Sequence, residues 1–261
     1  MITVRAARMS DYAAYASLFR ELGVDDAIFD EERFARAMMP TTVVAEDAGV
    51  TIGYAHFIVI GDTTHVSQVV SAPWARRRGV GRALMLAVAR RAREADCATW
   101  RLNVRLGNDP ARRLYESLGM KPQFESCALR VEWRTIEPGP ADGRRIEPAE
   151  DERIERATSM LPGQLAQARA AKRVPIVVER EGEVIGAAVF DPHFPGAAVF
   201  RVARPEHAAD LLRALRPHAL PAYEFVSVKI ENQPAVAEAL LALGARIRLR
   251  MIHMAGALPH A

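Results

Sequence analysis

The run from Val69 to Met120 admits few folds. A β-branched segment, a double-glycine turn among arginines, an amphipathic segment, a second β-branched segment and a second helical pattern follow one another there. Val66 to Ser71 suits an extended strand, and Ala72-Pro73 ends it, because proline cannot donate to a ladder. After Gly81, Leu84, Val88 and Ala92 recur every four residues and leave Arg90, Arg91 and Arg93 for solvent, which predicts a helix. Between strand and helix stand Arg76, Arg77, Arg78, Gly79, Val80, Gly81 and Arg82. Glycines at such a turn let successive backbone N–H groups converge on one concave space. The helix N-terminus adds partial positive charge, and arginines pair with phosphate oxygens, so the turn suits a pyrophosphate. It is not a Walker loop, since no Gly-Lys-Ser/Thr follows, and Leu84 stands where a dinucleotide fingerprint needs its third glycine.

Downstream, the pattern continues as Leu102-x-Val104-x-x-x-Asn108-x-x-Ala111-x-x-Leu114-Tyr115-x-x-Leu118-Gly119. In this order and spacing the two motifs resemble the core of a GNAT-type N-acetyltransferase. The likeness covers Val66 to Phe124 and extends weakly to the N-terminus. The resemblance implies an α/β (α+β) fold, a mixed twisted sheet flanked by helices. It implies acetyl-CoA as cosubstrate, no metal, and direct transfer of an acetyl group to a primary amine in a ternary complex. It places the N–H groups of Arg78 to Arg82 on the pyrophosphate with Arg76 and Arg77 beside them. Val69, Val70 and Ser71 would take the pantetheine and the thioester oxygen, and Asn108 the cofactor arm. Tyr115 would be the acid for the departing thiolate.

Other readings of these residues stay open. Asn108 suits a helix cap, and Tyr115 shares an apolar stripe with Ala111, Leu114 and Leu118 that packing alone explains. In several relatives the general base is a glutamate eleven residues before the loop's first Arg or Gln. Counting back from Arg76 (76 − 11) gives His65, which strand alternation groups with Ser67 and Val69. The alternative to His65 is a chain of waters. Met120 departs from the phenylalanine usual after this glycine, at a position that fills core either way.

Before this stretch, Thr3 to Ala6 reads as a strand. Ser10 reads as the cap of a helix through Arg20, with Tyr12, Tyr15, Leu18 and Phe19 on its apolar face. Asp25, Asp26, Asp30, Glu31 and Glu32 are either solvated charge or an acidic mouth for an ammonium substrate. A second helix from Glu31 to Met38 leads to a hairpin, Thr42 to Glu46 and Thr51 to Ile60. Cys127 to Trp133 reads as a closing strand. Residues 137–144 read as a linker, so the expected division is an acetyltransferase domain at 1–136 and a second domain at 145–261.

The second domain repeats the first. Val43-Val44-Ala45-Glu46 with Gly49, Ile52 and Gly53 matches Ile176-Val177-Val178-Glu179 with Gly182, Ile185 and Gly186, an offset of 133 (176 − 43). Asn108 matches Asn232, an offset of 124 (232 − 108), so about nine residues are missing between. Pairing Pro205 with Pro73 leaves Trp74 to Gly81 without a counterpart, and Leu240 falls in the place of Tyr115. The second copy is expected to lack the phosphate loop and the tyrosine together, and to serve as a packed partner within a monomer.

Composition narrows the rest. The chain has 261 residues with a net charge of +3, which permits acidic ligands without demanding nucleic acid. The arginines at 76–82 lack the aromatic platforms of a nucleic-acid surface. No apolar run or signal segment points to a membrane or to export, and Cys97 and Cys127 form no disulfide or metal pattern, so a cytoplasmic location is expected. The expected partner is a small-molecule or peptide amine. The rival expectations are an acyl-CoA-binding or sensing protein without turnover, and an enzyme for longer acyl groups.

Overall fold

The computed structural model describes residues 2–24, 27–140 and 142–259. These form two compact units: residues up to Gln123 together with the tail from Met254, and Phe124–His253. Asp25 and Asp26 of the expected acidic mouth lie outside the described residues, whereas Asp30 accepts from the N–H of Arg33 at 2.8 Å and caps the helix that follows.

The first unit begins with β1 (Thr3–Ala6), α1 (Tyr12–Phe19) and α2 (Glu31–Arg33), which continues as a π turn at Phe34–Met38. Ser10 does not cap α1. The chain enters it through a 3-10 turn, Met9–Asp11, and Asp11 reaches back to the N–H of Arg8 at 2.7 Å and to Arg5 at 2.8 Å. Then come β2 (Thr42–Asp47), β3 (Val50–Ile60), β4 (Thr63–Ser71), α3 (Val80–Glu94), β5 (Thr99–Arg105), α4 (Asp109–Glu116) and β6 (Lys121–Glu132). β1, β2, β3 and β4 pair antiparallel in that order, and β4 pairs with β5 in parallel. α3 packs on β2, β3 and β4 with Leu84, Val88 and Ala92 fully buried, as their spacing predicts. On the other face, Tyr15 of α1 meets Tyr54 of β3 with ring centroids 5.5 Å apart.

From Phe124 onward β6 belongs to the second unit. That unit continues with β7 (Gly143–Arg145), α5 (Asp151–Ala157), α6 (Gln164–Ala170), β8 (Val174–Arg180), β9 (Glu183–Asp191), β10 (Gly196–Val202), α7 (Ala208–Leu215), β11 (Phe225–Glu231), α8 (Pro234–Ala242) and β12 (Arg246–Ala257). β7, β8, β9 and β10 repeat the antiparallel run of β1 to β4, and β10 pairs with β11 in parallel. The closing strand of the first repeat, β6, pairs antiparallel with β11, so that Leu129 and Val131 enter the second unit's core. The end of β12 returns to the first unit. Leu258 donates to the carbonyl of Ala98 at 3.1 Å, and a Cβ at Gly256 would stand 2.7 Å from the carbonyl oxygen of Gly119, so only glycine lets the tail pass this close. The compact units therefore do not part at the linker, because each repeat's last strand runs out of the unit in which its predecessors lie.

Candidate active site

The turn between β4 and α3 takes the form its residue types require. A 3-10 turn at Pro73–Ala75 follows β4, Arg77 sits at φ +63°, and Gly79 precedes α3 at φ +85°. Ala83 makes the helix's first backbone bond, to the carbonyl of Gly79 at 3.0 Å. The N–H groups of Gly79, Val80, Gly81 and Arg82 therefore stand outside the helical ladder, at its positive end. Free backbone N–H groups gathered at the positive end of a helix form a cradle suited to an anion.

The arginines around it hold protein partners. Arg76 meets Glu21 at 2.7 Å, Arg78 meets Asp47 at 2.5 Å, and Arg82 donates to the Ser117 hydroxyl at 3.2 Å. These are exposed contacts, weakened by water and salt, so an incoming phosphate can displace them. Glu21 and Asp47 carry no motif that would have marked them in the sequence.

Gly81 has a second duty. A Cβ there would lie 2.9 Å from Leu114 Cδ2, so the glycine lets α3 approach α4, and a side chain at 81 presses on that helix. Gly79 has open space around it and a left-handed φ, which makes it the cleaner test of the loop. We expect Gly79→Ala to weaken acetyl-CoA binding by roughly ten-fold, because alanine avoids left-handed φ at a cost of about 1–2 kcal/mol and relaxation moves the N–H groups. Calorimetric titration checks this, and unchanged affinity would remove the loop from the binding site.

β4 and β5 are paired only from Thr63 to Val66 and from Thr99 to Leu102. Beyond that row the ladder stops, while β4 runs on to Ser71 and β5 to Arg105. Val69, Val70 and Ser71 are bonded to β3 on one side, opposite Ala55, Tyr54 and Gly53, and have left β5 on the other. An unpaired strand edge of this kind accepts an extended amide-bearing ligand. Asn108 caps α4, its side chain accepting from the N–H of Ala111 at 3.3 Å, so the capping role is the one observed here. Tyr115 lies in the last turn of α4, 7% exposed, and burial pushes its phenol up to about 12, which keeps it protonated at neutral pH.

His65 differs from expectation. The β3–β4 register slips between His56 and Phe57, with Val66 opposite Phe57 and Gln68 opposite His56, so Ser67 is the extra residue of a bulge. The bulge inverts alternation beyond it. His65, opposite Ile58, shares its face with Gln68 and Val70, not with Val69. On that face the Tyr54 hydroxyl donates to Gln68 at 2.8 Å, and the Tyr54 ring meets Tyr15 of α1, which in turn packs on Phe34 of the π turn. His65 is half-buried there. The Tyr54–Gln68 pair had no signal in the sequence, since only the bulge brings the two into one row.

The second unit's counterpart is built differently. Its 3-10 turn at Pro205–His207 matches the one at Pro73–Ala75 but leads straight into α7, with nothing in place of Arg76 to Gly79. α7 has 8 residues against 15 in α3, and Asp210 puts an acid in its first turn. Where β10 and β11 leave their short pairing, Arg201 meets Glu231 at 2.6 Å and the Gln233 amide donates to the carbonyl of Val202 at 2.8 Å. Burial opposes ionisation of Glu231, but Lys229 and Arg201 outweigh it and hold the carboxyl far below its usual range. Ion pair and amide together bridge the slot. Leu240, in the place of Tyr115, is fully buried.

Among the described residues, no group of three or more His, Cys, Asp or Glu is placed to hold a metal ion, and no helix is long and apolar enough to cross a membrane.

Comparison with known proteins gives a consistent picture. Residues 8–120 match the Acetyltransferase (GNAT) family. A Bacillus subtilis (strain 168) protein whose proposed activity is [ribosomal protein bS18]-alanine N-acetyltransferase is 27% identical over 123 residues, covering 46% of this chain and 80% of the relative. Over the full length, a GCN5-related N-acetyltransferase from Sphaerobacter thermophilus superposes with a TM-score of 0.67 at 16% identity, covering 100% of this chain and 96% of the other. A tandem GNAT protein from the clavulanic acid biosynthesis pathway gives 0.62 at 16% identity and covers 100% of both chains. At these identities the structural likenesses bear on the fold.

Proposed function

Because the first half of this chain belongs to the GNAT acetyltransferase family, and the whole has the tandem form of that fold, we propose that it acetylates a primary amine at the cradle and slot of its first unit. The observation that supports this reading most is that the free N–H groups at the start of α3 follow directly on the open strand edge at Val69–Ser71. The buried, protonated phenol of Tyr115 is the third group the reading calls for.

The family's cosubstrate, acetyl-CoA, supplies a thioester carbonyl for attack by the amine. Gly79, Val80, Gly81 and Arg82 hold the pyrophosphate through backbone N–H groups, with Arg76, Arg77 and Arg78 adding charge. Val69, Val70 and Ser71 hold the pantetheine arm along the open edge of β4, and Asn108 fixes the start of α4 as its cap. As the new C–N bond forms, the C–S bond breaks and the amine gives up a proton. Tyr115 donates a hydrogen bond to the departing sulfur. A phenol at about 12 loses its proton less readily than a thiol near about 8.5. Tyr115 therefore steadies the thiolate, and the proton shed by the amine ends on sulfur.

One chain binds one coenzyme A, in its first unit, because the bridged slot and missing loop leave the second unit no place for another. The buried, protonated Tyr115 favours turnover over mere acyl-CoA sensing. A thiol-release assay across amino acids, polyamines, aminoglycosides and peptides with an alanine amine tests the activity. Release with none of them would leave a binding protein.

His65 is the candidate base. We expect His65→Gln to remove the acid limb of the pH–rate profile, since a base must be unprotonated to act and loses activity as pH falls through its pKa. An unaltered profile and rate would assign proton removal to water.

A further inference from the structure

The second unit holds a cleft of about 500 Å³ that acetyl transfer does not use. Its walls follow from strand alternation. On β6, Leu129 and Val131 enter the core and Arg130 and Glu132 take the opposite face, where Phe225 of β11 stands opposite Glu132. On β12, Ile247 packs on the core while Arg246 and Arg248 line the cleft. Arg134 and Arg216 complete it, so that five arginines face two glutamates, Glu132 and Glu224, a surplus of three positive charges.

Elsewhere in the second unit several arginines meet carboxylates. Arg144 bridges Glu150 and Glu179, Arg169 meets Asp151 and Arg201 meets Glu231. In the cleft, Arg134 pairs with Glu132 at 2.6 Å, but among the described residues no carboxylate pairs with Arg130, Arg216 or Arg246. Aromatic rings hold two of these instead. The Arg130 guanidinium lies 4.0 Å from the centre of Phe225, and that of Arg216 lies 5.1 Å from Trp133. Stacking fixes each guanidinium plane and leaves its N–H edges free to donate. Trp133 is 7% exposed, and both its Nε1 and the Arg130 Nε are buried without an acceptor. Like charges gathered in a concavity repel, and an anion relieves that repulsion.

We propose that this cleft binds a compact organic polyanion, a small molecule with several phosphate or carboxylate groups. The volume lies in the range of small-ligand sites. Extended nucleic acid fits less well, because guanidinium groups already cover Phe225 and Trp133, on which bases would stack.

The test is calorimetry on the full chain, saturated with coenzyme A so that the first unit's cradle does not compete, with fructose 1,6-bisphosphate and citrate as probes. One saturable equivalent, weakening with salt and lost by at least roughly ten-fold in Arg246→Glu, is the expected result. The two probes tell phosphate from carboxylate. Arg216→Gln, which removes charge at an exposed position without reversing it, gives the same reading if Arg246→Glu misfolds. No saturable heat with either probe, equal affinity in the variants, or tighter binding of a short single-stranded oligonucleotide would overturn the proposal.

Discussion

Tyr115→Phe lowers kcat by roughly ten- to a thousand-fold, the range for a positioned hydrogen-bond donor to developing charge, and leaves acetyl-CoA affinity nearly unchanged. The ring fills the same buried space in α4, so packing is kept and only the hydroxyl is lost. The affinity term separates chemistry from binding, since a purely structural tyrosine would move stability and cofactor affinity with it. The pH profile adds a second constraint. A donor held near about 12 is protonated throughout the working range, so any alkaline limb well below that value belongs to another group and persists in the variant. Unchanged turnover, with the chemical step rate-limiting, would return Tyr115 to packing alone.

A fragment of residues 1–136 does not fold to an active protein, although it contains the whole phosphate loop and Tyr115. It lacks the tail from Met254, which the first unit uses through fully buried Met254, the Leu258–Ala98 bond and Gly256 against Gly119. It also ends in a strand whose Leu129 and Val131 have lost the core they enter and whose edge has lost β11. Four such side chains, Leu129, Val131, Met254 and Leu258, each contribute about 1.5–3 kcal/mol on burial. Their sum is comparable with the whole stability of a domain, about 5–15 kcal/mol. The exposed apolar strand should then aggregate. Size-exclusion chromatography, thermal unfolding and the thiol-release assay check this, alongside titration of the full chain to one equivalent of coenzyme A. A soluble, cooperative and active fragment, or two equivalents per chain, would contradict it.

Whatever depends on local pattern was legible in the order of the residues. Two glycines among arginines between a strand and a four-residue apolar period required a left-handed turn with free N–H groups at a helix start, because backbone conformation and helix polarity are set within a few residues. The offset between Val43 and Ile176 exposed the repeat, and the pairing of Pro205 with Pro73 located the lost loop to within a turn, since a proline-led 3-10 turn stands at both. Tertiary structure decided what depends on register and on distant partners. The bulge at Ser67 moved His65 to the other face from Val69, which alternation cannot foresee because one extra residue inverts every side chain beyond it. Gly81 proved to be a contact with Leu114, and Glu231 with Arg201 a bridge across the second slot, both between segments far apart in the chain. The linker at 137–144 marked where one repeat ends but not where the units part, because the partners of β6 and of the tail beyond Met254 lie far along the chain (231 − 126 = 105 residues for Glu231 and Ser126, 258 − 98 = 160 for Leu258 and Ala98) and a closing strand carries no local mark of which neighbour it will join.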